Sequence, residues 1–162
     1  MDKLTEALGN YKSNGTKTTE KAVEFKERLT PAVSTILNEQ IKNELYSSQI
    51  YKAMAACVDN RGFVNGGKVF FKYGQEELVH MDKIYNYLME RNCKPIVPAC
   101  EQPKLLYNDI RDVIQTSLEH EMGVTANWEK IAEVAKTSGD NTTYEFSQWF
   151  LKEQIEEENK FR

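Results

Sequence analysis

The stretch FFKYGQEELVHMDKIYNYL, residues 70–88, decides the fold of this chain. Its large side chains recur every three or four residues, and this spacing places them on one face of an α-helix. Two residues on that face are polar, Glu77 and His80, and they lie one helical turn apart. Such an E-x-x-H pair can offer a bridging carboxylate and an imidazole to metal ions inside a helix bundle. The pair also arises by chance, so its meaning depends on the other helices.

Similar repeats predict a four-helix chain. The expected helices, in chain order, cover residues 30–58, 64–91, 109–136 and 142–162. The first opens with Thr30 and Pro31, a capping residue followed by the residue favoured at the first helical position. Residues 93–108 hold three of the four prolines and therefore cannot be helical throughout. The sequence thus predicts an all-α fold, a four-helix bundle with one long crossover between the second and third helices.

Helix phase selects one acidic residue in the third helix. Two glutamates and a histidine stand together there, at Glu119, His120 and Glu121. Only Glu121 falls in the gap of the apolar repeat, whereas Glu119 is two residues away and points roughly outward. We therefore select Glu121 and expect Glu119 and His120 to be solvated or interfacial. The repeat that sets this phase is Ile110, Ile114, Ser117, Val124, Trp128, Ile131 and Ala135.

The first and fourth helices carry polar residues at a similar depth. Glu44 lies between Ile41 and Ser48 on the inner face of the first helix. In the fourth helix Gln154 flanks an inner face made of Phe146, Phe150, Glu153, Glu157 and Phe161. Every helix thus holds a polar side chain near its middle, where a core residue is expected.

These polar residues allow more than one interpretation. A single buried glutamate or histidine is usually structural. However, a buried carboxylate without a partner is costly, and no lysine or arginine shares these inner positions. Four carboxylates and one imidazole converging from four helices suit a pair of iron ions, although zinc or manganese would fit much of the same set. A metal-free structural bundle ranks last, because it would need charge pairing inside the core.

The composition fits one globular domain. The 162 residues are 40% hydrophobic and carry a net charge of -4, which gives no reason to expect nucleic-acid binding. No apolar run approaches the roughly 20 residues of a membrane span, and the start MDKLTEALGN lacks a signal-peptide core. Three cysteines without a repeated spacing indicate a reducing compartment, so we expect a cytoplasmic protein. Residues 1–29 are expected to form a flexible or weakly helical extension, and residues 30–162 the bundle.

Residues 30–162 resemble the bacterial-type non-haem ferritins, which have a ferritin-like four-helix bundle. The segments that carry the resemblance are NEQIKNELYSSQIY at 38–51, the stretch 70–88 and FSQWFLKEQIEEEN at 146–159. The resemblance implies iron storage. A ferroxidase centre would oxidise Fe(II) with O2 or H2O2, and ferric mineral would be deposited in a hollow homo-oligomer, a 24-subunit cage in this family.

The resemblance also implies the ligands of a dinuclear iron centre, two irons per subunit. Glu44, Glu77 and His80 would hold the first iron, and Glu77 would bridge to the second. Glu121 and Glu157 would complete the second position. The spacing of these four glutamates matches the family pattern without a gap.

Several neighbouring residues take roles from the same resemblance. Gln154 would lie beside the second iron, and Tyr51 next to the dinuclear centre as a catalytic tyrosine. Trp149 would lie nearby, although both aromatic residues also suit ordinary core packing. A third iron position would use the carboxylates of Glu76, Glu153, Glu156 and Glu157.

The sequence departs from related families in three places. Leu78 stands where haem-binding relatives place a methionine, so we expect no haem. Gln154 and Glu157 replace the second E-x-x-H of many di-iron oxygenases, yet a soluble di-iron oxidase or oxygenase that stores nothing remains the alternative function. The chain shows no fifth helix after Arg162 and has extra residues before Thr30, which we interpret as an unrelated arm or a permuted element.

Overall fold

Residues 26–162 are described by a computed structural model, and they form four α-helices and no strand. The helices are α1 Pro31–Asn60, α2 Val64–Glu90, α3 Ile110–Thr137 and α4 Asn141–Asn159. The predicted all-α fold is therefore confirmed, with most helix ends within two residues of their expected positions. The expectation for residues 1–25 lies outside the described part. Arg28 and Leu29 already contact the bundle, because the Arg28 N–H donates to the Arg91 carbonyl (3.1 Å) and Leu29 is buried.

Short polar side chains fix where three of the helices begin. Each accepts a hydrogen bond from a backbone N–H three residues later, which satisfies a donor that the helix leaves unpaired. These caps are Thr30 to Val33 at 3.3 Å, Asp109 to Asp112 at 2.8 Å and Asp140 to Thr143 at 3.0 Å. The turns that end α1 and α3 need glycine, because Gly62 has φ 88° and Gly139 has φ 70°.

The helices pack as two hairpins, α1 with α2 and α3 with α4, and α1 also packs on α3. Short turns at 61–63 and 138–140 make each hairpin antiparallel. Within the first hairpin the backbones approach closely at Gly74, where a Cβ would lie 2.8 Å from the Ser48 carbonyl oxygen. The Ser48 hydroxyl donates to the Gly74 carbonyl at 2.5 Å. This contact sets the separation of the two helices beside the polar residues described below.

The segment between α2 and α3 runs along α1 as the predicted crossover. Near its start the Ile96 N–H donates to Asn38 Oδ1 at 2.7 Å, and near its end Arg61 donates to the Asn108 carbonyl at 2.8 Å. Lys42 and Glu101 pair between these points at 3.3 Å. Asn38 and Arg61 are separated by about 35 Å along a helix. The crossover therefore spans the bundle and carries the chain back to begin α3.

A polar layer divides the core into two apolar clusters. The first, here called the Trp128 cluster, includes the stacked rings of Trp128 and Phe150, whose centroids are 3.7 Å apart. The second, the Tyr51 cluster, includes Tyr51 and Phe161, stacked at 6.0 Å. Burial of each such large side chain stabilises the fold by roughly 1.5–3 kcal/mol. The buried members of the Trp128 cluster are Leu29, Val33, Leu37, Ile41, Ile84, Tyr87, Leu88, Cys93, Val124, Trp128, Ile131 and Phe150. Those of the Tyr51 cluster are Ile50, Tyr51, Met54, Ala55, Val58, Phe70, Tyr107, Val113 and Phe161.

Three details of helix phase and length differ from the sequence prediction. In α3 the core position is taken by Val113, and Ile114 is exposed. In α4 Gln154 is buried and Glu153 is only half-buried, the reverse of the expected order. Both changes follow from one-residue ambiguity in a three-and-four repeat. Helix α4 ends at Asn159, and the next two residues form a turn that packs the Phe161 ring into the Tyr51 cluster.

Across residues 26–162, every helix is too short or too polar to cross a membrane.

Candidate metal centre

Six predicted site residues meet in the polar layer, and all of them are buried. Five of them form two overlapping groups, and within each group the possible ligand atoms lie within 4.8 Å of one another. We call Glu44, Glu77 and His80 the first position, and Glu77, Glu121 and Glu157 the second position. Gln154 lies beside the second. The centre thus joins side chains from all four helices, with Glu77 common to both positions.

The first position has an oxygen that no donor in the described part of the chain satisfies. Glu44 Oε1 accepts hydrogen bonds from Gln40 Nε2 at 2.8 Å and from Trp128 Nε1 at 3.2 Å. Glu44 Oε2 is buried, and no donor among residues 26–162 reaches it when the carboxyl group is ionised. Burying an unpaired polar atom costs about 1–3 kcal/mol, and more for a charged group. His80 Nδ1 lies 3.3 Å from Glu77 Oε2, so an imidazole and two carboxylates face the same point.

The second position is held by donors from the protein. The Tyr51 hydroxyl donates to Glu121 Oε1, and Gln154 Nε2 donates to Glu121 Oε2 at 3.0 Å. Both oxygens of Glu121 are therefore engaged. Glu157 Oε2 is 2.6 Å from the ammonium of Lys160, one turn further along the chain. Gln154 here orients Glu121 through its amide N–H groups, one of which also reaches the Glu121 carbonyl at 3.3 Å.

Burial and charge repulsion raise the pKa of three of the carboxyl groups, Glu44, Glu77 and Glu157. Burial, and then the charge of Glu77, raise the pKa of Glu44 well above its ordinary value. Burial, and then the charge of Glu121, raise the pKa of Glu77 to about 8. Burial raises the pKa of Glu157 even though Lys160 opposes the shift. Burial, and then Glu121, also raise the pKa of Tyr51, which keeps its hydroxyl a donor. A site that retains protons for lack of a cation is suited to exchange them for metal ions.

The residues predicted for a third metal position are placed differently. Glu76 is half-buried and binds two ammonium groups, Lys72 and Lys160, each at 3.1 Å. Although burial acts to raise its pKa, hydrogen bonds from these two lysines lower the pKa of Glu76. Glu153 is half-buried and Glu156 is exposed. Neither compact ligand group found among residues 26–162 includes any of these three glutamates.

The structure supports the choice of Glu121 by helix phase. Glu121 is 1% exposed, whereas Glu119 is exposed and bonds only to Gln115 at 2.8 Å on its own helix. His120 lies between α3 and α1, with Nε2 2.8 Å from the Ser47 hydroxyl. Burial lowers the pKa of His120 to about 4, so its ring is neutral at physiological pH. It is interfacial, as predicted.

Trp149 lies at the outer edge of the first position. Its ring meets the His80 ring edge-on at 6.0 Å, and the Lys83 ammonium lies 3.6 Å from the Trp149 ring centroid. Trp149 therefore packs against the His80 ring and restricts its orientation, but does not reach the centre of the cluster.

Sequence reasoning missed three residues that touch the ligands. Lys160 is the most important, because the sequence analysis expected no lysine to pair with the buried acids. Its three-residue spacing from Glu157 is a signal that could have found it, and the four-residue spacing of Gln40 from Glu44 is another. Trp128 was assigned to the apolar repeat, and only the packing of α3 on α1 shows that its N–H reaches Glu44.

The chain is similar to ferritins in sequence and in structure. Residues 34–162 match the Ferritin family, described as a ferritin-like domain. The chain is 34% identical over 133 residues to a probable bacterial non-heme ferritin-like protein of Haemophilus influenzae, covering 82% of this chain and 81% of the relative. It is 33% identical over 134 residues to a bacterial non-heme ferritin of Escherichia coli, covering 83% and 81%. Its structure is similar to an open pore ferritin of Archaeoglobus fulgidus, with a TM-score of 0.82, 30% identity, and 84% and 83% of the two chains covered.

Proposed function

The chain belongs to the ferritin family, and from this premise we propose that it stores iron. Its polar layer is the ferroxidase centre, where two Fe(II) ions per subunit are oxidised by O2 or H2O2. The ferric product is deposited as mineral inside a hollow homo-oligomer. The names of the bacterial relatives support the storage function, and the buried ligand cluster supports the oxidation step.

One observation carries the proposal: within a cluster of four buried carboxyl groups, an ionised Glu44 would leave its Oε2 without a donor from residues 26–162. A structural network would satisfy this oxygen with a donor, because leaving it bare destabilises the fold. The only ammonium in contact with the four carboxyl groups is Lys160, at Glu157, among residues 26–162. One lysine cannot balance four carboxylates, so the cluster fits divalent cations that bind oxygen ligands.

The residues of the centre have different roles in binding and oxidising Fe(II). Hard carboxylate oxygens and one imidazole suit Fe(II), and two bound Fe(II) ions supply two electrons to one oxidant molecule. Glu77 holds the two ions close together because it belongs to both positions. Tyr51 and Gln154 fix the direction of Glu121 by donating to its two oxygens. The apolar clusters on both sides exclude bulk water from the layer.

Proton exchange accompanies loading. Glu44 and Glu77 retain protons in the metal-free centre because burial and repulsion raise the pKa of each. A divalent ion binds the ionised carboxylates, so these protons leave as the ion enters. Tyr51 keeps its proton in the metal-free centre, since its raised pKa disfavours the phenolate.

Exposed apolar side chains support assembly into an oligomer. Val79 on the outer face of α2 is 65% exposed, and Val97 and Leu106 on the crossover are 79% and 83% exposed. Contiguous exposed apolar patches mark surfaces that other protein covers, and these side chains are available to form such patches. We propose that copies of this chain cover them, in a shell of the 24-subunit kind expected for the family.

The test is aerobic loading of the full chain with a large excess of Fe(II), followed by size-exclusion chromatography with iron measured across the protein peak. We expect hundreds of iron atoms per particle in a large assembly. Two or three iron atoms per chain on a small species would contradict storage and favour a di-iron oxidase or oxygenase that stores nothing.

A pair of variants ties the oxidation to the centre. Glu121→Ala removes a buried ligand, and Glu119→Ala removes an exposed glutamate two residues away on the same helix. We expect the initial rate of Fe(II) oxidation to fall at least about tenfold in Glu121→Ala and to stay unchanged in Glu119→Ala. Equal rates in the two variants would overturn the assignment of the centre.

A further inference from the structure

Lys160 places a positive charge at the edge of the metal centre. It follows α4 directly, and its ammonium is 2.6 Å from Glu157 Oε2 on α4 and 3.1 Å from Glu76 Oε2 on α2. The same ammonium lies 4.6 Å from the centroid of the Tyr73 ring, within reach of a cation–π interaction. Three groups on two helices thus hold one side chain, of which 25% is exposed.

The two carboxylates that Lys160 joins are two of the four that the predicted third metal position would use. Glu157 belongs to the second position and also to the predicted third position, and Glu76 belongs to the predicted third position alone. An ion bound between them would occupy the space of the Lys160 ammonium, because both 2.6 Å and 3.1 Å are direct contacts. The lysine and a third divalent ion are therefore mutually exclusive in this arrangement.

We propose that Lys160 is a built-in cation that replaces the third metal ion and limits the centre to two divalent ions per chain. The inference rests on the proposed ferroxidase function. Lys160 acts as a positioning and stoichiometry-determining residue. It holds Glu157 towards Glu76 and supplies the positive charge that another ion would bring. Glu153 and Glu156 do not pair with the Lys160 ammonium and remain outside the centre.

Lys72 offers a matched control for this role. Its ammonium contacts the other oxygen of the same glutamate, Glu76 Oε1, at 3.1 Å, and its side chain is 72% exposed. Lys72→Met and Lys160→Met remove the same charge and leave side chains of similar length. Only Lys160→Met separates a cation from Glu157, so only this variant frees Glu157 Oε2 together with Glu76 Oε2 for a metal ion.

The experiment is an anaerobic calorimetric titration of the metal-free full chain with Fe(II), repeated with redox-inert Zn²⁺. We expect two ions per chain for the native protein and for Lys72→Met, and three for Lys160→Met. Lys160→Arg, which restores a cation at this place, should return the stoichiometry to two. Circular dichroism and the Tm of each variant show whether it is folded, and Lys160→Gln serves as a second neutral variant.

The outcomes separate this inference from the proposed function. A native protein that binds no Fe(II) would overturn the ferroxidase centre itself. A native protein that binds three ions would overturn the role of Lys160 and support a third metal position. If the native protein, Lys160→Met and Lys160→Gln all bind two ions while folded, Lys160 does not set the stoichiometry.

Discussion

The first and second positions share Glu77 but differ in what the protein gives to their other ligands. At the first position an ionised Glu44 has a buried oxygen that no donor in the described residues reaches. At the second position Tyr51 and Gln154 occupy both oxygens of Glu121, and Lys160 pairs with Glu157. A cation entering the first position gains contacts that are otherwise missing. One entering the second position must share or replace contacts that exist.

Because of this difference, two identical ions would bind to the two positions with different affinities. The missing partner of Glu44 is a cost that metal binding removes, so it adds to the affinity of the first position. The donors around Glu121 and Glu157 compete with metal and lower the affinity of the second position. They also keep those ligands oriented before an ion arrives. We therefore expect the first position to fill before the second.

Glu44→Gln gives the largest expected effect among variants that separate the two positions. The amide keeps the shape of the side chain but loses the charge that an ion at the first position would meet. We expect binding of the first Fe(II) to weaken by about 10–100-fold, with a smaller change for the second ion. Anaerobic calorimetry resolves the two steps. An unchanged first step would show that Glu44 is not a ligand and would remove the contrast between the positions.

Tyr51→Phe tests how a hydrogen-bond donor of the protein affects metal binding at the second position. It removes the hydroxyl that donates to Glu121 Oε1 and leaves the ring in the Tyr51 cluster. We expect binding of the second ion to strengthen by up to about tenfold, because a donor that competes with the metal is lost, and the first step to stay the same. Tyr46→Phe, a half-buried tyrosine on the same helix, is the control. A change confined to the first step would contradict the assignment of Tyr51 to the second position.

The smallest expected effect is on the pH dependence of the unfolding free energy of the metal-free chain. This dependence shows which carboxyl group retains a proton. A carboxyl group whose pKa is raised on folding stabilises the protein below the ordinary pKa of 4.5, and this stability is lost as pH rises through the folded value. For Glu77 that window ends at about 8. We expect the free energy of unfolding of the metal-free chain to fall by about 1 kcal/mol per pH unit between about pH 6.5 and 8.

The range above pH 6.5 is chosen because His120 has the opposite sign. Its pKa is lowered from 6.5 to about 4, so its contribution is present above 6.5 and is lost as pH falls towards 4. Urea unfolding at several pH values measures the slope. Glu44→Gln and Glu77→Gln should flatten it more than Glu157→Gln, because Lys160 opposes the shift at Glu157. A slope flattened most by Glu157→Gln would place the proton at Glu157 and contradict this assignment.

The sequence could predict the four helices and the burial of most of the candidate ligands, because both follow from one periodicity. Buried side chains recur every three or four residues, and a polar residue in that phase must be buried with them. This argument separated Glu121 from Glu119, two residues apart, and the burial of the two side chains agrees with it. The assignment of metal-binding roles to these residues stays a prediction.

Periodicity could not separate neighbours, and it could not supply contacts between helices. Glu153 and Gln154 fit the α4 repeat almost equally well, because one residue turns a helix by about 100°, and only packing decides which is buried. The pairing of Lys160 with Glu76 depends on where α2 lies relative to the end of α4. The Trp128 N–H reaches Glu44 only because α3 packs on α1. Each of these contacts depends on tertiary structure, which helix periodicity in one sequence does not determine.

The two apolar clusters on either side of the polar layer also act as dielectric walls. An ion between them faces fixed oxygen dipoles in place of mobile water, and charges attract about four times more strongly at an effective dielectric constant near 20 than in water. The Trp128 and Phe150 stack forms part of one wall, and the Tyr51 and Phe161 stack part of the other. These aromatic residues would therefore strengthen the attraction between a bound metal ion and the carboxylates without supplying a single ligand atom.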